Sequence, residues 1–257
     1  DAFVAANFQV LLLDNRDVGR SEQLDYFSIP NMGWVVTKLK LGLSIKTPYQ
    51  LEDMMQDVVA LLDALNLAEV HVVGASMGGM IAQLMAIHHP RRVKTLTSIM
   101  STTGYKKLPG IDKNIRKTLM QKPVSKDYKD QMDYHIKKWQ VIGSPDYPCT
   151  ETDLQQYVES MLQRGMTAKG TIRQMLSIMV AGNREDALSK LDIPSLVIHG
   201  DRDGLVNLAG GKATAQAIPN AKLKVYPGMG HDFPVELIPN IVDDIVAHVN
   251  TNLGGRT

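Results

Sequence analysis

The 257-residue sequence predicts an α/β fold, with a mostly parallel central sheet flanked by helices and an inserted helical cap. The first observation behind this is that apolar runs typical of buried strands alternate with helical periodicity at both ends of the chain. The second is that residues 105–191 show no buried-strand pattern and contain four prolines. We therefore predict an α/β core formed by residues 1–104 and 192–257, with the cap at residues 105–191.

The first predicted strand is the apolar run at residues 8–13. The helix after it is predicted to open at Thr47, with a proline at its first position and a capping box completed by Gln50. The intervening residues 22–46 form a long connection that contains Trp34. Such a connection is either a pocket-shaping loop or a flap packed on the core, and the sequence leaves both interpretations open.

The remaining elements follow in alternation. Residues 71–73 belong to a predicted strand, residues 80–87 to a helix that Pro90 stops, and residues 94–100 to the next strand. Four cap helices are predicted near residues 111–120, 126–141, 154–163 and 171–180. The core resumes with strands at residues 196–200 and 223–226 and closes with a helix at residues 239–250.

Ser76 has glycines on both sides and lies between a predicted strand and a predicted helix. The sequence there is Gly74-Ala75-Ser76-Met77-Gly78-Gly79. This placement predicts a nucleophile elbow, a strained corner that exposes the hydroxyl of Ser76. Side chains at Gly74 or Gly78 are expected to collide with neighbouring elements. The backbone N–H of Met77, at the positive end of the helix, is expected to face an oxyanion. A helix N-cap is the alternative role for Ser76, but it would not require flanking glycines.

A serine nucleophile needs a base and an orienting acid, and two loops supply candidates. One predicted strand ends in a turn that carries Asp201 and Asp203, and the last strand is followed by a glycine-rich loop that presents His231. Ligands of open α/β sheets bind at the carboxyl ends of strands, so these groups are expected to converge on Ser76. His231 competes with six other histidines: His71, His88, His89, His135, His248 and His199, the last interpreted as a structural residue that braces the acid turn.

Four motifs in this order resemble the α/β-hydrolase superfamily over essentially the whole chain. Beside the elbow, residues 14–21 resemble the family's D-x-R-G-x-G-x-S turn, with Asp17 where glycine is more usual. Residues 199–203 resemble the acid turn, whose carboxylate lies three residues after the glycine, so the resemblance selects Asp203. Gly230-His231 resembles the histidine loop. Among subfamilies the chain is most similar to small-molecule carboxylesterases, including methylesterases, with enol-lactonases and cofactor-free haloperoxidases as close relatives.

The resemblance implies a serine hydrolase that cleaves carboxylic esters or lactones of small or medium apolar molecules through an acyl-enzyme, without a cofactor or a metal. Ser76 would be the nucleophile, His231 the base and Asp203 the acid, with the Met77 N–H as one oxyanion donor. Two other classes remain open. One is a cofactor-free haloperoxidase or C–C bond hydrolase with the same triad, and the other is a non-catalytic ligand receptor of the same fold.

A substrate pocket is expected between the cap and the carboxyl ends of the strands. Its expected apolar lining is Trp34, Trp139, Met179 and Val206. Methionine adapts to varied apolar ligands, although ordinary cap core is the alternative role for any single methionine of the cap.

Composition excludes several other classes of function. The formal net charge of +1 gives no global reason to expect nucleic acid binding, and no apolar run is long enough for a membrane span. The single cysteine, Cys149, excludes an internal disulfide and offers no metal cluster. A cytoplasmic location is the default expectation, with a targeting segment left open because the chain begins at Asp1 rather than at a methionine. The oligomeric state does not follow from the sequence.

The resemblance also points to something missing. In the family fold a further strand lies between the strand at residues 8–13 and the elbow strand, and the turn after it carries the second oxyanion donor. That strand precedes the motif at residues 14–21 in sequence, and nothing before residue 8 supplies it. We therefore expect further residues before Asp1, enough for two or three strands, and a second oxyanion donor from outside the 257 residues.

Overall fold

The computed structural model describes residues 2–252, and within them four strands form one sheet. The strands are β1 (Val70–Ala75), β2 (Val93–Ile99), β3 (Ser195–Gly200) and β4 (Lys222–Tyr226). They lie side by side in the order β1-β2-β3-β4, and every neighbouring pair is parallel. The predicted α/β fold with a parallel sheet is confirmed.

Helices flank this sheet and fill the segment between β2 and β3. In the described range they are α1 (Ala2–Ala5), α2 (Met32–Lys40), α3 (Leu51–Ala64), α4 (Met77–His88), α5 (Lys113–Leu119), α6 (Tyr128–Ile142), α7 (Glu151–Gln163), α8 (Ala168–Val180), α9 (Glu185–Leu188), α10 (Leu208–Ala217) and α11 (Ile238–Thr251). Among the helices of residues 2–252, none has the length and hydrophobicity of a membrane-spanning segment. Helices α5 to α9 lie in the segment predicted as a cap, and the division into core and cap stays a prediction.

The register of the strands brings their carboxyl ends to one edge of the sheet. Ala75 at the end of β1 pairs with Ile99 at the end of β2, and Ile99 pairs with Ile198 of β3. Because the strands are parallel, the loops that leave them start from this shared edge. The three side chains expected to carry the chemistry follow β1, β3 and β4 there.

The apolar core lies on both faces of the sheet. Leu96 and Ile99 are three residues apart on β2, so their side chains point to opposite faces. Leu96 packs in the same cluster as Met54 of α3 and Met85 of α4, whereas Ile99 packs in a cluster with Ile245 of α11. Each such buried side chain stabilises the fold by about 1.5–3 kcal/mol. This packing fixes the helix that follows the elbow.

Residues 8–13 do not form a strand, contrary to the prediction. A strand requires backbone N–H and C=O groups paired with a neighbour, and in the described chain β1 pairs with β2 alone. Four apolar side chains of this segment are exposed accordingly, Leu12 by 88%, and Val73 on β1 is 45% exposed. The prediction was wrong because an apolar run reports the character of the side chains, and not whether a neighbouring strand lies alongside.

Helix α3 begins at Leu51, later than the predicted start near Thr47. The residue predicted at the third helical position, Gln50, is instead the N-cap. Its backbone N–H donates to the Asp53 carboxylate at 2.7 Å. A carboxylate in the first turn also complements the positive end of the helix, which favours this later start.

The long connection at residues 22–46 folds as a helical flap, which the sequence did not predict as a helix. The Asn31 side chain caps α2 by accepting from the N–H of Gly33 at 2.9 Å. Val35 is the buried residue of this helix, whereas Trp34 is 66% exposed. The flap therefore touches the rest of the protein through one side and presents apolar side chains on the other.

The turn at residues 14–21 is tied to α8 by a buried ion pair. Asp17 has a backbone φ of 71°, the left-handed region that explains why glycine is more usual there. The Arg173 guanidinium donates to both carboxylate oxygens of Asp17, at 2.6 and 2.7 Å, and the Tyr49 hydroxyl donates at 2.8 Å. Neither charged side chain is exposed. Asp17 thus adopts a strained backbone conformation and connects this turn to α8 through its carboxylate.

Candidate active site

The elbow after β1 holds Ser76 in a strained backbone conformation. Its φ is 54° and its ψ is −118°, a region that costs a non-glycine residue about 1–3 kcal/mol. The Ser76 N–H donates to the carbonyl of Ile99 at 2.9 Å, and the Ser76 carbonyl accepts from the Ser101 hydroxyl at 2.8 Å. Since Ile99 ends β2 and Ser101 follows it, the neighbouring strand keeps the corner in place.

Glycine is required at one of the two predicted positions around this corner. A Cβ at Gly74 would lie 2.1 Å from the carbonyl oxygen of Gly78, and a Cβ at Gly79 would lie 2.6 Å from the Cβ of Ser101. A Cβ at Gly78 would meet no atom within 4 Å. The collision expected at Gly74 is confirmed. The collision expected at Gly78 was wrong, because that residue points into open space.

Ser76, His231 and Asp203 form a continuous hydrogen-bonded chain. His231 Nε2 lies 3.0 Å from Ser76 Oγ, and His231 Nδ1 lies 2.7 Å from Asp203 Oδ2. A carboxylate can only accept, so Nδ1 carries the proton and Nε2 is free to accept from the serine hydroxyl. The structure therefore brings together the three side chains that the sequence selected.

Asp203 is a fully buried side chain that stays ionised. Burial by itself raises the pKa of a carboxyl group. Hydrogen bonds from His199, His231 and the N–H of Val206 outweigh burial, so the pKa of Asp203 lies below its ordinary value. Its other oxygen, Oδ1, accepts the backbone N–H groups of Leu205 at 2.9 Å and Val206 at 2.8 Å. The acid turn thus supplies a fixed negative charge behind the imidazole.

The neighbouring groups that competed for these roles are placed differently. Asp201 is exposed, and its Oδ1 accepts the N–H of Gly228 at 2.7 Å, which ties the acid turn to the histidine loop. His199 is buried beside the acid turn, with Nε2 2.8 Å from the Val206 carbonyl and 3.4 Å from Asp203. Its bracing position agrees with the interpretation of His199 as a structural residue.

The backbone N–H of Met77 stands at the first position of α4. The first N–H groups of a helix have no acceptor within the helix, and they lie at its positive end. This N–H follows directly after Ser76, so an oxyanion formed on a carbonyl attacked by the serine would lie near it. Its role as an oxyanion donor, and the second donor expected from elsewhere, stay predictions.

The four residues expected to line the pocket lie on different elements. The N–H of Val206 donates to Asp203, so this residue lies beside the hydrogen-bonded chain. Trp139 on α6 packs edge to face against an aromatic ring of α7, with centroids 4.9 Å apart. Met179 is partly buried near the end of α8, and Trp34 is exposed on the flap. Their roles in substrate binding stay predictions.

Sequence reasoning missed three polar residues around this centre. Ser101 supports the elbow from the loop after β2, while Ser144 and Asp232 are hydrogen-bonded to one another beside the histidine loop. Ser101 follows a strand end and Asp232 follows His231 directly, so position alone was a signal for both. Ser144 gave no signal, because its contact with the loop joins segments more than eighty residues apart.

Comparison with known proteins agrees with this architecture. The family model described as the alpha/beta hydrolase fold matches residues 1–236. Rhodomycin D methylesterase DnrP from Streptomyces peucetius is 23% identical over 267 residues, covering 96% of this chain and 83% of that protein. A 2-hydroxy-6-oxononadienedioate/2-hydroxy-6-oxononatrienedioate hydrolase from Pseudomonas sp is 25% identical over 243 residues, covering 90% and 73%. The structure of Rv0554 from Mycobacterium tuberculosis aligns with a TM-score of 0.71 at 19% identity, covering 98% of this chain and 82% of that one. The chain belongs to the alpha/beta hydrolase fold family.

Proposed function

We propose that the protein is a serine hydrolase that cleaves carboxylic esters of small or medium apolar molecules through an acyl-enzyme intermediate. The observation that supports this is the hydrogen-bonded chain from Asp203 through His231 to Ser76, with spacings of 2.7 and 3.0 Å. An ionised acid, an imidazole with a free Nε2 and a hydroxyl on a strained corner are the parts that nucleophilic catalysis by serine requires.

In the first half-reaction His231 Nε2 takes the proton of Ser76 as Oγ attacks the ester carbonyl. Asp203 holds Nδ1–H and stabilises the imidazolium that forms. The oxyanion lies toward the Met77 N–H, and losing one such donor typically costs about 3 kcal/mol of transition-state stabilisation. The tetrahedral intermediate then collapses, the imidazolium protonates the departing alcohol, and the acyl group remains on Ser76.

In the second half-reaction the same groups act, and water takes the place of the alcohol. His231 takes a proton from water as the oxygen attacks the acyl-enzyme carbonyl, and it returns that proton to Ser76 Oγ as the acid leaves. One ester and one water are consumed, and one acid and one alcohol are released. The relative named as a methylesterase supports an ester as the substrate.

An apolar substrate is supported by the side chains that we predict to line the pocket. Trp139 and its ring partner on α7 offer aromatic surface on the cap, and Met179 offers a flexible apolar side chain. A lactone is an internal ester and would be opened by the same steps, with the leaving alcohol retained on the acid.

A second candidate activity is hydrolysis of a C–C bond in a diketone. It is favoured by the relative named as a 2-hydroxy-6-oxononadienedioate/2-hydroxy-6-oxononatrienedioate hydrolase, which matches 90% of this chain. The leaving group would then be a stabilised carbanion, and His231 would supply its proton.

The test is an activity panel on wild-type protein and the Ser76→Ala variant. The panel contains p-nitrophenyl esters of graded acyl length, a γ-lactone and a 2-hydroxy-6-oxo dienoate. A fluorophosphonate probe should label the wild type at Ser76, and Ser76→Ala should lose labelling and turnover while keeping its circular dichroism spectrum. Ser160→Ala removes an exposed hydroxyl on α7 and serves as the matched control.

The ranking of substrates then decides the class. Faster turnover of esters than of the dienoate supports the esterase, and the reverse ranking selects the C–C hydrolase. Ligand binding without turnover of any substrate would instead indicate a receptor. Turnover retained in Ser76→Ala would reject the proposed nucleophile.

A further inference from the structure

The histidine loop after β4 is held by two different parts of the molecule. Its first half is tied to the acid turn, because the N–H of Arg202 donates to the carbonyl of Met229 at 3.0 Å and Gly228 donates to Asp201. Its second half is bonded to the end of α6. The N–H of His231 donates to the carbonyl of Ile142, the last residue of α6, at 2.8 Å.

A second contact reinforces this junction through one hydroxyl. Ser144 Oγ accepts the N–H of Gly230 at 2.7 Å and donates to the carboxylate of Asp232. The Ser144 N–H also donates to Asp232, at 3.2 Å. The hydroxyl therefore connects the residue before His231 with the residue after it. Ser144 is buried, so water does not readily replace these bonds.

The two backbones approach each other as closely as glycine allows. A Cβ at Gly230 would lie 2.4 Å from the carbonyl oxygen of Gly143, and a Cβ at Gly143 would lie 3.2 Å from the Asp232 carboxylate. The end of α6 and the histidine loop are therefore closely packed, with little space for one to move relative to the other. A displacement of the end of α6 must be passed on to the backbone of His231.

We propose that Ser144 and Asp232 are positioning residues through which the end of α6 sets the imidazole of His231 relative to Ser76. The inference rests on the proposed function, because it concerns the geometry of the same base. Neither side chain touches the reacting atoms in the structure. Their effect is carried by the backbone on either side of His231, and catalysis is sensitive to such shifts, since a misplacement of about 1 Å can cost about 100-fold in rate.

The first test variant is Ser144→Ala, which leaves the Gly230 N–H and the Asp232 carboxylate without their shared partner. We expect kcat for a p-nitrophenyl ester to fall by about 10- to 100-fold, with KM unchanged within about twofold. The rate of fluorophosphonate labelling at Ser76 should fall in parallel. Ser144→Thr keeps the hydroxyl and should recover most of kcat.

Thr150→Ala is a closely matched control. The Thr150 hydroxyl also accepts one backbone N–H, that of Asp153 at 3.2 Å, and donates to that carboxylate at 2.7 Å. It lies on the same part of the chain, at the N-cap of α7, and its bonds do not involve the histidine loop. Loss of this hydroxyl should leave kcat within about twofold of the wild type.

The outcomes separate the inference from the proposed function. If the wild type neither turns over esters nor labels at Ser76, the proposed function fails and the inference falls with it. If the wild type is active and Ser144→Ala matches Thr150→Ala in kcat, the positioning role is rejected while the proposed function stands. If Ser144→Ala does not fold, Asp232→Asn provides the test, because it weakens the same acceptor and keeps Ser144. Wild-type kcat in a folded Asp232→Asn would also reject the positioning role.

Discussion

At the scale of single residues, the centre depends on a carboxylate that is charged although it is buried. Asp203 keeps a pKa below its ordinary value because four donors surround its two oxygens: two histidine rings and two backbone N–H groups. The negative charge is needed to fix the proton of His231 on Nδ1. A neutral isostere at this position would fit the space and would lose that orientation.

The first prediction compares the two carboxylates of the acid turn. Asp203→Asn should lower kcat by roughly 10³- to 10⁴-fold, because an amide can donate to Nδ1 and favour the wrong tautomer. Asp201→Asn should change kcat by no more than about threefold, since an amide oxygen can still accept from Gly228. Steady-state kinetics on both variants gives the ranking, and the reverse order would mean that Asp201 is the acid.

The second prediction compares the two glycines of the elbow. Gly74→Ala places a methyl group 2.1 Å from a carbonyl oxygen and should lower the free energy of unfolding by about 1–3 kcal/mol or more. Gly78→Ala meets open space within the first turn of α4, where alanine favours the helix by up to about 1 kcal/mol. Urea unfolding of both variants measures the difference. Equal destabilisation would contradict the geometry of the corner.

At the scale of elements, prediction from sequence succeeded where the signal is local and failed where it depends on a neighbour. The elbow is local, since a strand, glycines and a helix must follow one another within a few residues. The strand at residues 8–13 needs a partner strand that periodicity does not report, and in the structure the segment is unpaired. The start of α3 was misplaced because Asp53 competes with the earlier capping signal.

The same distinction holds within the site. Ser76, His231 and Asp203 each lie in a recognisable sequence motif, so they could be selected from the sequence. Ser144 carries none, because its role exists only where α6 meets the histidine loop. The cap boundaries, the pocket residues, the second oxyanion donor and the residues expected before Asp1 stay predictions.

The third prediction concerns the ion pair that ties α8 to the turn at residues 14–21. Arg173→Met should lower the free energy of unfolding by about 3–5 kcal/mol, because it leaves the Asp17 carboxylate buried and unpaired. Adding Asp17→Asn should recover roughly half of that loss or more, since asparagine tolerates the positive φ and can still accept from Leu24. Denaturant unfolding of the single and double variants completes the cycle, and additive losses would argue against a coupled pair.

At the scale of the whole molecule, histidines away from the site that are at least half-buried link stability to pH. His248 lies on α11 against the sheet and is buried, and burial lowers its pKa. His71 and His135 have pKa values lowered in the same direction, also mainly by burial. Below about pH 6.5 the unfolded chain therefore binds protons that the folded protein does not take up. The folded state loses stability as the pH falls through this range.

The fourth prediction follows from this loss of stability at lower pH. The free energy of unfolding of the wild type should decrease between pH 7.5 and pH 5.5, and His248→Leu should show a shallower decrease because one of the titrating groups is gone. Urea titrations at three pH values measure the slopes. Parallel slopes for the two proteins would show that His248 does not contribute. Asp203 affects stability in a lower pH range. Its pKa in the folded protein lies below the ordinary value for aspartate, so its contribution to stability is lost only as the pH falls below that ordinary value.

The hydrogen bond between His231 and Ser76 has a consequence for biosynthesis, because the two residues are 155 positions apart in the chain. A ribosome releases the chain from its N-terminal end, so the serine emerges long before its base has been translated. In the proposed mechanism, the half-made protein therefore has the serine hydroxyl but not yet the base that activates it. That base can reach Ser76 only after β4 and its loop have joined the sheet, so activation of the serine waits until the chain has been translated past His231.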